Sequence, residues 1–327
     1  MPERNYKSNP IASYSDISGI SLHYSFIDNQ HYLDASVFNH CEGEVLALFN
    51  QVVSQLHGKC TLVVEPVEPG SLLSILRGIG KGVILPLSIG LLTSLIYSKL
   101  DKKPERIVKE VIEEILSDQT LLQSLEERED LKQEIELLKR KKDSIATSFD
   151  ENIIVKRRSN YFQSLYSDPR VSSVEIGAIN DTRLPIKTRT ILRTEFPDYI
   201  LNSDELDPAI EEEAEIDIIS PVLRRGVKTR WTGIYDGAII QFTIKSNEFK
   251  TRVQLGEVSF KNGSRIICDL VKARKLDQNG NVVIKSNTVD TVYSVVQNDL
   301  VIETTEGKVK RVRKKEKEQD QSLFDDI

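Results

Sequence analysis

Three short stretches carry residue types that could do chemistry, and each departs from the pattern that its chemistry requires. Gly78-Ile79-Gly80-Lys81-Gly82 resembles a phosphate-cradling loop. Such a loop needs G-x-x-x-x-G-K-[ST], because backbone N–H groups surround the phosphate and the hydroxyl binds magnesium. Position 75 is Ile and Gly82 stands where the hydroxyl belongs, so a basic entry to an apolar segment is the better reading. His23, His31, His40 and His57 fall in one region with Cys41 and Cys60. Imidazole and thiolate are good zinc ligands, but these spacings match no structural zinc pattern. His40 and Cys41 are adjacent and would point apart on a helix. Asp277-Gln278-Asn279-Gly280-Asn281 opens like a calcium loop, yet its twelfth position is Thr288 rather than a bidentate Glu. It reads as an Asn-Gly hairpin turn. No nucleophile elbow or paired acid and base is present. The sequence therefore assigns no catalytic, cofactor-binding or metal residue, and predicts a protein that is not an enzyme.

The most informative segment is Gly78–Lys99. From Gly82 to Ser98 it holds no charged residue, in a chain that is 29% Asp, Glu, Lys and Arg. Drawn as a helix, Gly78, Gly82, Gly90, Ser94 and Ser98 repeat every fourth position, with Pro86 in the gap. Such a strip lets helices associate closely in lipid. The run is at the lower end of the length that spans a bilayer, with Lys81 and Lys99 placed to snorkel and Tyr97 at an interface. These features predict membrane lipid as a partner, homo-oligomers formed through the strip, and an inner-membrane location. Pro86 would kink such a helix. The lysine-rich C-terminal flank would require residues 1–70 to cross the membrane without a signal peptide. An in-plane helix, or a buried core helix in a cytoplasmic protein, stays open.

The elements around this segment predict an α+β fold. The 327 residues suggest two or three domains. Three cysteines, an odd number, point to a reducing compartment. Residues 1–77 read as a β-α-β-β unit: strand Ile20–Ile27, a helix over Leu33–Leu56 ended by Gly58, and a hairpin from Cys60–Val67 through Pro69-Gly70 to Ser71–Leu76. The apolar helix takes residues 78–100. Residues 101–150 read as one long charged helix, with a coiled-coil seam at Leu131, Ile135 and Leu138. Residues 151–203 form a mixed α/β segment containing strands Val171–Ile179 and Ile186–Leu192. Residues 204–217, rich in Glu, read as an acidic linker. Residues 218–303 read as a small antiparallel β-barrel opened by Trp231, and residues 304–327 as a disordered basic tail.

That tail is the second candidate site. Lys310, Arg311, Arg313, Lys314 and Lys315 belong to a basic run that suits nucleic acid or an anionic membrane face. The net charge of −6 confines any such contact to a local patch. Leu323-Phe324 is an apolar anchor near the C-terminus. Ser322-Leu323-Phe324 is similar to the motif by which bacterial replication proteins dock on the sliding clamp, with Asp320 in place of the usual Gln. The whole layout also resembles proteins of unknown function from bacteria and their prophages. Three segments carry this resemblance: the Val63–Ile75 hairpin, Asn160-Tyr161-Phe162 with Val171–Ile176, and Arg230-Trp231-Thr232-Gly233 with Asn247-Glu248-Phe249 and Lys261-Asn262-Gly263-Ser264. It implies a bacterial origin and transfers no catalytic residue. The leading expectation is a non-catalytic membrane-associated assembly protein presenting its β-domain to a cytoplasmic partner. The alternatives are a soluble nucleic-acid-associated factor, with a clamp-like protein as a further partner, and a membrane-damaging effector.

Overall fold

The computed structural model describes residues 14–27, 32–65, 73–80, 82–118, 129–223, 230–298 and 300–324. The chain divides into two compact units, residues 1–203 with 278–281, and residues 204–277 with 282–327.

In the first unit, an antiparallel sheet runs in the order β2-β3-β1-β4-β5. Its strands are β1 (Gly19–Phe26), β2 (Thr61–Val64), β3 (Leu73–Ile79), β4 (Val171–Ile179) and β5 (Pro185–Leu192). In β1, Ile20, Leu22 and Tyr24 are buried, and they pair with Ala178, Ile176 and Val174 of β4. The alternate residue His23 is exposed, as expected for a sheet with one face on the core. Thus β4 and β5 extend the same sheet that β1–β3 begin. The helices are α1 (Ala35–Gln55), α2 (Ile84–Tyr97), α3 (Pro104–Leu116), α4 (Glu129–Ser148) and α5 (Glu151–Ser167). Asp34 starts α1 by accepting the Ser36 N–H at 2.8 Å.

The apolar segment is the middle of this unit. Every residue from Pro86 to Ile96 is buried. Around α2 lie α1, α3, α5 and strands β1, β3 and β4. Its 14 residues make a rod of ~21 Å, against the ~30 Å of a hydrocarbon core. No helix among the described residues is long and apolar enough to cross a membrane. This corrects the expected transmembrane helix.

The small residues serve contacts inside the unit. Gly78 lies in β3, so the fourfold strip is not continuous on one helix. A Cβ there would sit 2.4 Å from Leu85 Cδ1, so Gly78 lets β3 pack closely against α2. Gly82 has φ of +70° and abuts the Glu134 carboxylate, which accepts the Val83 N–H at 3.1 Å and caps α2. Pro86 is the third residue of the helix, where no intrahelical partner waits for an N–H, so it needs no kink. Gly90 sits beside Tyr14, Val111 and Ile115. The Ser94 hydroxyl meets that of Tyr97 at 3.1 Å, and Ser98 Oγ donates to the Ser94 carbonyl at 2.5 Å.

The charged region is not one helix, since α3 ends at Leu116 with Ser117 as its cap. Leu131, Ile135 and Leu138 of α4 are buried in the core of their own unit. Lys109 pairs with Asp143 at 3.1 Å and Lys142 with Glu113 at 2.5 Å across α3 and α4. The stripe expected as a coiled-coil seam is therefore core packing within the unit, not a coiled coil.

The second unit contains β6 (Glu205–Ser220), β7 (Trp231–Tyr235), β8 (Ala238–Ile244), α6 (Asn247–Gln254), β9 (Arg265–Leu276), β10 (Val282–Gln297), β11 (Leu300–Glu303) and α7 (Thr305–Phe324). Strand β6 pairs with β7 and β9, β7 with β8, and β10 with both β8 and β9, which closes a five-stranded barrel. Only the β8–β10 pairing within it is parallel. A three-strand meander, a helix, and a last hairpin inserted between the first and third strands is the strand order of the OB-fold. Trp231 anchors the core, with ring centroids 6.2 Å from both Phe242 and Phe249 and 5.3 Å from Phe260.

The acidic stretch expected as a linker is strand β6. Its inward residues Ala214 and Ile216 are buried. Glu205, Glu211 and Glu215 pair with Lys285, Lys272 and Arg265 at 2.6, 3.1 and 3.1 Å. Opposite charges across neighbouring strands stabilise a sheet, as in the β6–β9 pairs Glu211–Lys272 and Glu215–Arg265, while Glu205 reaches Lys285 of β10, so the acidic stretch is held against basic partners.

Gly90 gives a direct test of the packing. Its Cβ position is open to within ordinary contact, 3.4 Å from Tyr14. Gly90→Ala should therefore raise the denaturant midpoint, adding up to about 1 kcal/mol of helix propensity. Gly90→Ile should lower stability by roughly 1–3 kcal/mol through overpacking against Val111 and Ile115.

Candidate functional site

The second unit carries a cleft of about 940 Å³ between the C-terminal helix and the barrel. Its walls include Val309 and Arg313 of α7, facing Lys245, Glu248 and Asp290. The site exists because the expected disordered tail is a helix seated on the barrel. Lys, Arg, Glu and Gln are good helix formers, so a segment with few apolar residues can still fold once its first turn is fixed.

That first turn is fixed tightly. Thr304 Oγ1 accepts the Gly307 N–H at 2.9 Å, and the Thr305 N–H donates to Glu248 at 3.3 Å. Gly307 lets the helix approach β10: a Cβ would lie 2.5 Å from the Tyr293 carbonyl oxygen and 2.7 Å from its Cα. One turn on, Lys310 forms an ion pair with Asp269, which is 1% exposed. The other Asp269 oxygen accepts the Tyr293 hydroxyl at 2.8 Å. Lys310 and Arg311 each lie 5.7 Å from the Tyr293 ring centroid, a cation–π arrangement. Burial raises the Tyr293 hydroxyl pKa, with Glu212 and Glu213 adding to it.

The outer turn is held by surface pairs. Arg311 meets Glu303 at 2.9 Å, and Lys314 meets Glu212 at 3.2 Å and Glu213 at 3.7 Å. Of the basic residues singled out in the sequence, Lys310, Arg311 and Lys314 are thus engaged with the barrel. Arg313 is exposed on the cleft. The backbone of α7 continues through Lys315, Leu323 and Phe324, whose side chains lie outside the described residues. The aromatic seat Tyr293 and its partner Asp269 were not singled out from sequence, because one Tyr and one Asp on separate strands give no spacing signal. The run Arg224, Arg225, Lys228, Arg230 between β6 and β7 was also passed over, and only Arg230 of it is described.

The remaining sequence candidates do not converge. His40 pairs with Glu44 at 3.5 Å. His57 follows α1 with φ of +52° and lines a cleft of about 710 Å³ with Cys60 and Glu134. His31 lies outside the described residues. No group of three or more His, Cys, Asp or Glu positioned for a metal ion occurs among the described residues. All three cysteines are buried and free. Burial pushes the Cys268 thiol up to about 12 and raises Cys41 and Cys60, so none is poised as a nucleophile.

No family profile matches the chain, and no curated protein or solved structure gives a significant match. The bacterial and prophage resemblance finds no support there, and the barrel is recognised by its strand order alone.

The Asp269–Lys310 pair predicts an asymmetry. Lys310→Met strands a buried carboxylate, whereas Asp269→Asn leaves a lysine whose side chain is 43% exposed. Lys310→Met should be the more damaging, by about 2–3 kcal/mol, below the ~3–5 of a fully buried pair. Urea denaturation of both variants tests it, and an equal or reversed order would count against the seat. Gly307→Ala should speed amide exchange over the first turns of α7 despite alanine's higher helix propensity.

Proposed function

We propose that the protein is a non-catalytic nucleic-acid-associated factor whose C-terminal barrel engages single-stranded nucleic acid. The observation that carries this reading is the closed five-stranded ring with its one parallel pair, β8 with β10. Barrels of this strand order bind oligonucleotides and oligosaccharides across their second and third strands and adjoining loops. The four basic residues of the β6–β7 connection and the cations of α7 favour the nucleotide ligand.

The chemistry of the exposed strands sets the mode. The exposed residues of β7 and β8 include Ile234, Ile239, Gln241 and Thr243, and the half-buried Tyr235 ring has the Lys272 ammonium 4.6 Å from its centroid, which leaves little aromatic surface for bases to stack on. The β9 cations Arg265 and Lys272 are engaged by β6 carboxylates. Binding would therefore track the phosphate backbone with few contacts and little sequence preference. Leu323-Phe324 remains the candidate anchor for a protein partner such as a sliding clamp.

Fluorescence anisotropy with a labelled oligothymidylate of ~16 nucleotides tests the proposal. Binding should weaken linearly in log–log form with salt, with a slope of about −0.7 per phosphate contact. Absent or salt-insensitive binding would overturn it.

A further inference from the structure

We propose that the barrel holds the outer turn of α7 in an acidic latch that competes with nucleic-acid phosphate. This rests on the nucleic-acid reading above. The helix is fastened in two tiers. The inner tier is the Gly307 contact and the Lys310–Asp269 pair, with the Asp269 side chain 2% exposed. The outer tier joins Lys314 to Glu212 and Glu213, whose side chains are 46%, 58% and 49% exposed. Exposed pairs are weak and screened by salt, so a polyanion can exchange with the outer tier while the inner one stays closed.

The outer tier is a built feature of β6. Successive strand residues normally face opposite ways. Here the pairing with β9 shifts register between Glu211 and Ala214, and Glu213 adopts φ of +55°. That left-handed conformation is unfavourable for a residue with a Cβ. The bulge turns two consecutive carboxylates onto one lysine, a re-aiming that bulges achieve. Two carboxylates around an ammonium offer what a phosphate would. Because they belong to the same chain, they act at high effective concentration. In this arrangement Arg313 on the cleft meets phosphate first, and Lys314 follows when the latch opens.

The test uses the full chain carrying Glu212→Gln and Glu213→Gln, which keep side-chain shape and remove charge. Asp207→Asn with Glu257→Gln is the control, removing the same charge from exposed positions of the unit outside β7, β8 and their adjoining loops. Without nucleic acid, amide exchange should quicken around residues 311–314 in the latch variant and stay unchanged around 305–308. Its affinity for the labelled oligothymidylate should rise about two- to fivefold, with a salt slope steeper by about 0.7. Unchanged exchange, or an equal rise in the control, would overturn the latch. Faster exchange with unchanged affinity would overturn the competition. No binding by any of the proteins would overturn the nucleic-acid reading and the competition with it, whereas equal binding by all three would overturn the competition alone.

Discussion

Burial of α2 is the constraint on which the first unit depends. A helix that is apolar on every side has no face to offer water, so protein must surround it. The sheet takes one side, and α1, α3 and α5 take the others. The polar atoms within it are satisfied locally. Ser88 and Thr93 donate to the carbonyls of Ile84 and Ile89 at 2.7 and 3.0 Å. Near its C-terminal end, the buried Arg158 donates to the Leu95 carbonyl at 3.3 Å. A cation is favourable beside these carbonyls, although burial lowers the Arg158 pKa to about 10.

The second unit is organised by charge complementarity over a small apolar core. The acidic residues of β6 serve two partners: Glu205, Glu211 and Glu215 meet the hairpin of β9 and β10, while Glu212 and Glu213 meet α7. The bulge separates these two sets by turning the intervening pair outward from the ladder. One strand thereby closes the barrel and seats the C-terminal helix. It also limits how many cations remain available to a polyanion, which is why the proposed binding is modest and sensitive to salt.

The readable parts of the sequence were those governed by local patterns. Alternation in Ile20, Leu22 and Tyr24 marks β1, and the Val45, Leu48, Val52 spacing marks α1. Turn residues Gly237 and Asn279-Gly280 delimit barrel strands, and the α+β class with a C-terminal barrel follows from them. The seat of α7 was not readable. Asp269, Tyr293 and Lys310 belong to three different elements, and only the barrel's closure brings them together.

By itself, the sequence determined the elements with a clear apolar period, such as β1 and α1, and which of their faces must avoid water, because these follow from periods of two and 3.6 residues. Tertiary structure decided what covers each face. The pattern of α2 is the same in a bilayer and in a core. Only the neighbouring elements, and a length of 14 residues, distinguish them. A seam such as Leu131, Ile135 and Leu138 specifies a buried stripe without specifying whose helix buries it. An acidic run becomes a strand only when a basic partner strand, distant in sequence, arrives beside it. Hydrophobic and electrostatic forces carry no record of chain distance, so the partner that satisfies a residue is fixed by topology.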